Sequence, residues 1–275
     1  MIQLGRMNSL PIVKLDDKGA WLDADDLGQV FIPKSQLASE TKNGDIVRVF
    51  TYLDGDGELV ASLDKPMVQV GEFAGLKVVS ASRMGAFLNW GMKKDLFVPA
   101  REQAKPMQND HTYVVYVYLD RESRTVATSR LDHYLSIEMP HYEPWQEVDI
   151  LICERTDLGY KVIVESKFWG LVFNNEIFTT LRIGQQTKGY IKKIHEDGKL
   201  DISLNKPGLA RKDEASEKIL LRLQKAGGFL PVGDKSTPEL IYSQFSMSKS
   251  TFKKAIGGLY KQGAITIEND GIRLK

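Results

Sequence analysis

The sequence is short of several things, and each shortage removes a class of protein. Its 275 residues contain a single cysteine, Cys153. No internal disulfide and no cysteine-based metal cluster can be built, and the chain suits a reducing compartment. Only four histidines occur (His111, His133, His141 and His195), scattered without ligand spacing. Apolar runs are short, with Val114–Leu119 among the longest, far below the ~20 residues that span a bilayer. The N-terminus reaches charged residues before an apolar signal-peptide core can form. A soluble, cytoplasmic protein without membrane association is the expectation. Walker A and dinucleotide fingerprints are absent, and Asp132, Asp149 and Asp157 lack the spacing of a two-metal nuclease. Asp54-Gly-Asp-Gly-Glu58 starts like a calcium loop, but Lys65 stands where the bidentate acid is needed. Neither catalytic residues, nor a metal site, nor a cofactor is expected.

Net charge is also nearly missing, with 37 Lys and Arg against 36 Asp and Glu. The balance hides an asymmetry. Residues 1–66 carry 7 basic and 11 acidic side chains, whereas residues 209–275 carry 12 and 7. Positive charge gathers at the C-terminal end, which favours a polyanionic partner there.

What is present is repetition. Leu59-Val-Ala-Ser-Leu-Asp-Lys-Pro66, Thr125-Val-Ala-Thr-Ser-Arg130 and Leu200-Asp-Ile-Ser-Leu-Asn-Lys-Pro207 close three similar stretches. Each follows a turn-forming segment and an extended run, which is a β-hairpin by pattern and turn chemistry. Upstream, Gly19, Gly85 and Gly159 each open a short strand, and Phe31, Phe97 and Phe173 mark the next one. From the first copy to the second, the markers Gly, Phe and Ser shift by 66, 66 and 67 positions; from the second to the third, by 74, 76 and 74. Five strands in each such unit fit a five-stranded OB barrel. Units this small bury little surface, so neighbouring barrels are expected to pack together. The expected fold is multidomain and mainly β: barrels over 1–66, 67–139 and 140–208, then an α/β winged-helix domain over 209–275.

The winged helix is read from three helical patterns and a hairpin. Ile219, Leu220 and Leu223 have helical spacing and stop at Gly227-Gly228. Thr237-Pro238-Glu239 reads as an N-cap with proline at the first helical position. A third helix is predicted from near Ser248 to about Gln262, with Phe252, Ile256, Leu259 and Tyr260 on its core side. Residues 264–275 follow as a hairpin wing. The start of helix three, where a helix-turn-helix reader meets its target, offers Lys249, Ser250, Lys253 and Lys254. Arg273 lies in the wing.

Arg83-Met-Gly-Ala-Phe-Leu88, Asp95-Leu-Phe-Val-Pro99 and Ala127-Thr-Ser-Arg130 resemble the S1 RNA-binding domain, and Asp157-Leu-Gly-Tyr-Lys-Val162 with Gly170-Leu-Val-Phe173 fits the same frame. With the C-terminal segment, the whole chain resembles the conserved virulence factor B (YitL-like) family, which combines tandem S1-type barrels with a winged helix. That resemblance implies RNA binding and regulation. It also implies base stacking on rings flanking the Gly-Ala step and on a strand-three ring. The first ring is replaced by Lys18, Met84 and Leu158; the second persists as Trp21 and Phe87 but is Lys161 in copy three; the third is Phe31, Phe97 and Phe173. Copy one, being acidic, is expected to be a scaffold.

For Phe31 and Phe97, barrel core and binding face stay equally open, whereas Trp21 and Phe87 lean to the face. The expected RNA-binding set is Trp21, Arg83, Phe87, Phe97, Arg130, Lys161, Phe173, Lys188, Tyr190, Lys192, Lys193, Lys249, Lys253, Lys254 and Arg273. Lys192-Lys193 near Tyr190 is the most suggestive cluster, because cations beside a ring suit single strands. Single-stranded RNA bound for post-transcriptional regulation is the leading expectation. A DNA-binding transcriptional regulator acting through the winged helix stays open, as does a scaffold docking on the ribosome or RNA-processing proteins.

Overall fold

The computed structural model describes residues 2–54, 56–177, 180–205, 209–261 and 263–275. The chain builds three five-stranded barrels and a winged helix. Barrel one comprises β1 (Arg6–Leu15), β2 (Gly19–Asp23), β3 (Gln29–Pro33), β4 (Ile46–Leu53) and β5 (Leu59–Ser62). Barrel two comprises β6 (Phe73–Ala81), β7 (Gly85–Asn89), β8 (Leu96–Pro99), β9 (Thr112–Leu119) and β10 (Thr125–Thr128). Barrel three comprises β11 (Glu147–Arg155), β12 (Gly159–Val164), β13 (Phe168–Phe173), β14 (Gln186–Ile194) and β15 (Leu200–Ser203).

In every unit the first strand pairs antiparallel with both the second and the fourth. A register shift occurs at the same place in each first strand, between Ile12 and Lys14, Val78 and Ser80, and Ile152 and Glu154. Such a bulge bends one strand so that it can serve two sheet segments. Barrels two and three close through short parallel pairings, Val126 with Phe97, and Gly170 with Leu200. In barrel one no ladder joins β3 to β5 among the described residues.

Gly19, Gly85 and Gly159 open the second strands for a steric reason. A Cβ at these positions would lie 2.1, 2.4 and 2.0 Å from the carbonyl oxygens of Ile32, Val98 and Val172. The facing strand comes too close for any side chain.

The barrels do not stand apart. Phe50 of barrel one is wholly buried in barrel two's core, its ring 5.5 Å from Trp90 and edge-on to it. Barrels two and three share a second cluster of Phe73, Val114, Leu131, Leu135, Leu151 and Ile163. At that joint Gly75 touches Gly184 backbone to backbone, and a Cβ on Gly75 would fall 2.1 Å from the Gly184 Cα.

The fourth unit holds α1 (Leu209–Lys225), β16 (Phe229–Leu230), α2 (Pro238–Phe245), α3 (Lys249–Lys261), β17 (Ile265–Ile267) and β18 (Ile272–Leu274). Its core is built from its own residues, including Ile219, Leu223, Ile241, Phe245, Phe252, Ile256 and Ile272. Thr237 caps α2, its hydroxyl accepting from the Leu240 N–H at 3.3 Å with Pro238 at the first position. Ser246, in the left-handed region at φ 52°, ends it. Strand β16, absent from the sequence reading, adds to β18; two residues after a glycine pair are too short to show periodicity. Tyr260, expected on the core side of α3, is 57% exposed. It ends the last full turn, one position past the buried Leu259. The expected end of α3 at Gln262 and the boundary at Gly208 fall outside the described residues.

Candidate nucleic-acid interface

Along β2 and β3, Ala20, Leu22, Val30 and Ile32 are buried, as are Ala86, Leu88, Leu96 and Val98 along β7 and β8. Strand alternation therefore turns the intervening rings outward. Trp21 is paired in register with Phe31, and Phe87 with Phe97. Ring centroids lie 5.1 and 5.0 Å apart. Phe87 is 41% exposed. Each pair is thus a two-ring platform on the outer wall, and Phe31 and Phe97 are half-buried and lie outside the barrel cores.

Barrel three departs from the expected pattern. Gly159 opposes Phe173, just as Gly19 opposes Pro33 and Gly85 opposes Pro99. Phe173 is therefore the counterpart of those prolines and not of Phe97. Leu171, opposite Lys161, holds the Phe97 position. The marker shift of 76 among shifts of 74 was the sequence's trace of this two-residue displacement.

In place of a ring pair, barrel three sets a cation on a ring. The Lys161 ammonium lies 3.6 Å from the centre of the Trp169 ring. The Trp169 indole N–H donates to Asp132 Oδ1 at 2.8 Å, and Lys161 is 3.9 Å from the same carboxylate. Asp132 belongs to the turn Leu131–Tyr134 that leaves barrel two. Together with Leu158, Leu171, Phe173 and Lys193, these residues line a cavity of about 1160 Å³. Trp169 escaped the sequence reading, although its place two and four residues before Leu171 and Phe173 puts it on their face.

A smaller cavity, about 490 Å³, lies against barrel two, lined by Phe97, Pro99, Arg101, Tyr118 and also by Tyr52 and Asp54 of barrel one. The expected scaffold thus lends residues to its neighbour's face. Burial pushes the Tyr118 hydroxyl up to about 12, aided by Glu102. Tyr116 stacks on Tyr134 at 4.0 Å and contacts Phe73 at 4.8 Å, so it belongs to the joint between barrels. Arg83 is exposed in the turn before Gly85. Arg130 donates from Nε to the Arg101 carbonyl at 2.8 Å.

The suggestive cluster on β14 is split. Lys188 pairs with Asp149 at 2.7 Å, the Tyr190 hydroxyl donates to Glu147 at 3.0 Å, and Lys192 pairs with Glu176. Their acidic partners hold the Lys188 ammonium and the Tyr190 hydroxyl protonated above their usual ranges. Lys193, beyond a bulge, turns instead into the large cavity. This strand is a checkerboard of pairs and not a basic patch.

On the winged helix, Lys253 and Lys254 are exposed and Lys249 half-buried at the start of α3. The Ser248 hydroxyl caps that start, accepting from the Thr251 N–H at 3.2 Å. Phe252, Ala255, Ile256 and Leu259 fill the opposite face. No ion pair among the described residues engages the three lysines. Arg273 is committed elsewhere, its Nε 2.8 Å from Glu268 and its guanidinium 4.6 Å over Phe229. Among the described residues, no group of three His, Cys, Asp or Glu side chains is placed to hold a metal, and no helix is long and apolar enough to cross a membrane.

Barrels with outward ring platforms, followed by three helices and a β-wing, define a multidomain protein of nucleic-acid-binding folds. Residues 4–64 and 70–130 match the S1 domain, and residues 217–274 match the CvfB-like winged helix domain. The chain is a tandem-S1 protein with a CvfB-like winged helix. It is similar to the uncharacterized protein YitL of Bacillus subtilis strain 168, with 28% identity over 96% of this chain and 91% of that protein. Conserved virulence factor B of Staphylococcus aureus strain N315 is 28% identical over 98% of this chain and 94% of its own. A crystal structure of a multidomain protein with nucleic acid binding domains from Streptococcus pneumoniae TIGR4 aligns over 99% of this chain and 98% of its own, at 22% identity and a TM-score of 0.45. S1 and winged helix domains bind nucleic acid and are not enzyme families.

Proposed function

We propose that the chain is a non-catalytic, cytoplasmic protein that grips single-stranded RNA and regulates gene expression after transcription. Its units are taken as 1–66, 67–139, 140–208 and 209–275. The observation carrying this reading is the outward Phe87–Phe97 platform, with Phe87 exposed on a barrel of the S1 class. Unpaired bases stack on such rings without needing a particular sequence. Trp21 with Phe31 offers a second platform, while Arg83, Lys161 and Lys193 supply charge for phosphates. Lys249, Lys253 and Lys254 extend the contact to the winged helix. Lys188, Tyr190, Lys192, Arg130 and Arg273 have lesser roles, since each is engaged outside the large cavity that Lys161 and Asp132 share. Phe173 contributes as part of the large cavity's wall.

Fluorescence anisotropy of the full chain with labelled single-stranded RNA, matched single-stranded DNA and duplex DNA tests this. Tightest binding to RNA, weakened but retained in the Lys249→Ala/Lys253→Ala/Lys254→Ala variant, is the expected result. The unpaired lysines of α3 favour one second reading, a winged helix that reads duplex DNA. Duplex preference lost in the triple variant would establish it. Binding to none of the three would leave a protein-docking scaffold, as on a ribosome.

A further inference from the structure

Asp132 stands out in the large cavity of barrel three. Four other acids line the cavity, Asp157, Glu196, Asp197 and Asp201, of which Asp197 pairs with Lys199 and Asp201 with His195, whereas Asp132 keeps 77% of its side chain exposed. It is also fixed, because the Trp169 indole N–H holds Oδ1 at 2.8 Å. No hydrogen bond engages Oδ2 among the described residues. A carboxylate kept in place by a tryptophan and open to solvent is an acceptor waiting for a donor. Phosphates have none to give at neutral pH, but bases do.

The surroundings fit a base. Leu158, Leu171 and Phe173 give apolar walls beside the carboxylate, and Lys161 and Lys193 lie on the same cavity to balance a backbone phosphate. One face of Trp169 is occupied by the Lys161 ammonium, and the ring packs on the joint between barrels. Stacking is therefore left to Phe173 and the leucines, and Trp169 serves as the positioner of the acid. A planar carboxylate accepts two parallel N–H groups. Guanine alone among the four RNA bases presents two adjacent donors, N1–H and the N2 amine, on its pairing edge, and unpaired bases are read on that edge.

We propose that Asp132, held by Trp169, is the specificity-determining residue of barrel three and selects guanine in single-stranded RNA. This rests on the RNA-binding reading above and adds a base preference to it. The chemistry is a bidentate hydrogen bond with no covalent step. It also explains why the acid comes from the turn after barrel two: the reading edge is assembled only when barrels two and three are docked.

The test uses the full chain and three labelled 12-mers in lithium chloride, adenosine oligonucleotides in which every third residue is guanosine, inosine or adenosine, so that none is self-complementary. Inosine keeps N1–H but lacks the N2 amine. The expected result is guanosine RNA bound about tenfold tighter than either other oligonucleotide. Asp132→Asn should bring the three within about twofold, since an amide cannot accept from both donors. Trp169→Phe, which removes the indole N–H and keeps a ring, should narrow the preference while retaining binding. Circular dichroism of both variants checks that the fold persists. Three results overturn the proposal while leaving RNA binding intact: no guanosine preference in the parent chain, an unchanged preference in Asp132→Asn, or a uniform rise in affinity for all three oligonucleotides. The uniform rise would show Asp132 to be only a repulsive charge. Failure of the parent chain to bind any of them overturns both readings.

Discussion

Barrels two and three share a strand order, a glycine pressed against the facing carbonyl, a bulge in the first strand and a closing parallel pair. Their outer walls are nonetheless different instruments. Where barrel two opposes Phe87 to Phe97, barrel three opposes Lys161 to Leu171 and leans the lysine on Trp169. The interior positions of the same strands are apolar in both. Interior side chains are held by close packing, so their size and polarity are constrained. Outward positions meet solvent and neighbours, so chemistry can change there while the barrel stays the same. Fold and binding surface are written on alternate residues of one strand.

The comparison can be broken most severely at the joint. Gly75→Val places a branched side chain where Gly184 already stands, and should destabilise the docked pair by about 3 kcal/mol. Thermal unfolding is then expected to separate into distinct transitions; one unaltered cooperative transition would mean the joint tolerates the change. The platform of barrel two comes next. Phe87→Ala and Phe97→Ala should each weaken single-stranded RNA binding by about 1–3 kcal/mol with little loss of stability. Equal binding by both variants and the parent would remove the platform from the site.

A smaller effect separates the free cations from the paired ones. Lys193→Ala, whose ammonium has no ion-pair partner among the described residues, should lower the slope of log affinity against log salt by about 0.7, the contribution of one phosphate contact on a single strand. Lys188→Ala, whose ammonium is engaged by Asp149, should leave the slope nearly unchanged. A last expected effect is a pH dependence confined to the alkaline range. Burial pushes the Cys153 thiol up to about 12 from its ordinary 9.0. An unfolded chain releases that proton from about pH 9, so the native state binds more protons and loses stability as pH rises from 9 towards 12. Cys153→Ala should flatten that decline in chemical denaturation, whereas parallel declines would assign it to the tyrosines, Tyr118 included.

Much of the barrel architecture was legible from residues close in sequence. Alternation, the turn at each hairpin and the helix cap at Thr237 all act within a few positions. The error at Phe173 came from matching residue type in place of spacing, since Pro33, Pro99 and Phe173 each lie 14 positions after the glycine they oppose. The pairing of Gly159 with Phe173 places Leu171, and not Phe173, opposite Lys161. The β14 cluster looked basic because Asp149, Glu147 and Glu176 lie 39, 43 and 16 positions from their partners Lys188, Tyr190 and Lys192. Tyr116 and Tyr118 could not be placed because their neighbour Tyr134 belongs to the connection to barrel three.

By itself, then, the sequence determined three barrel units, their glycine contacts and a basic winged helix, because short-range periodicity and turn chemistry specify each element locally. Tertiary structure decided which surfaces those units complete for one another. Phe50 enters the next barrel's core, Gly75 meets Gly184, and Asp132 crosses from barrel two to Trp169 of barrel three. Contacts between independently patterned units leave no period in the chain, and exist only once the barrels have docked.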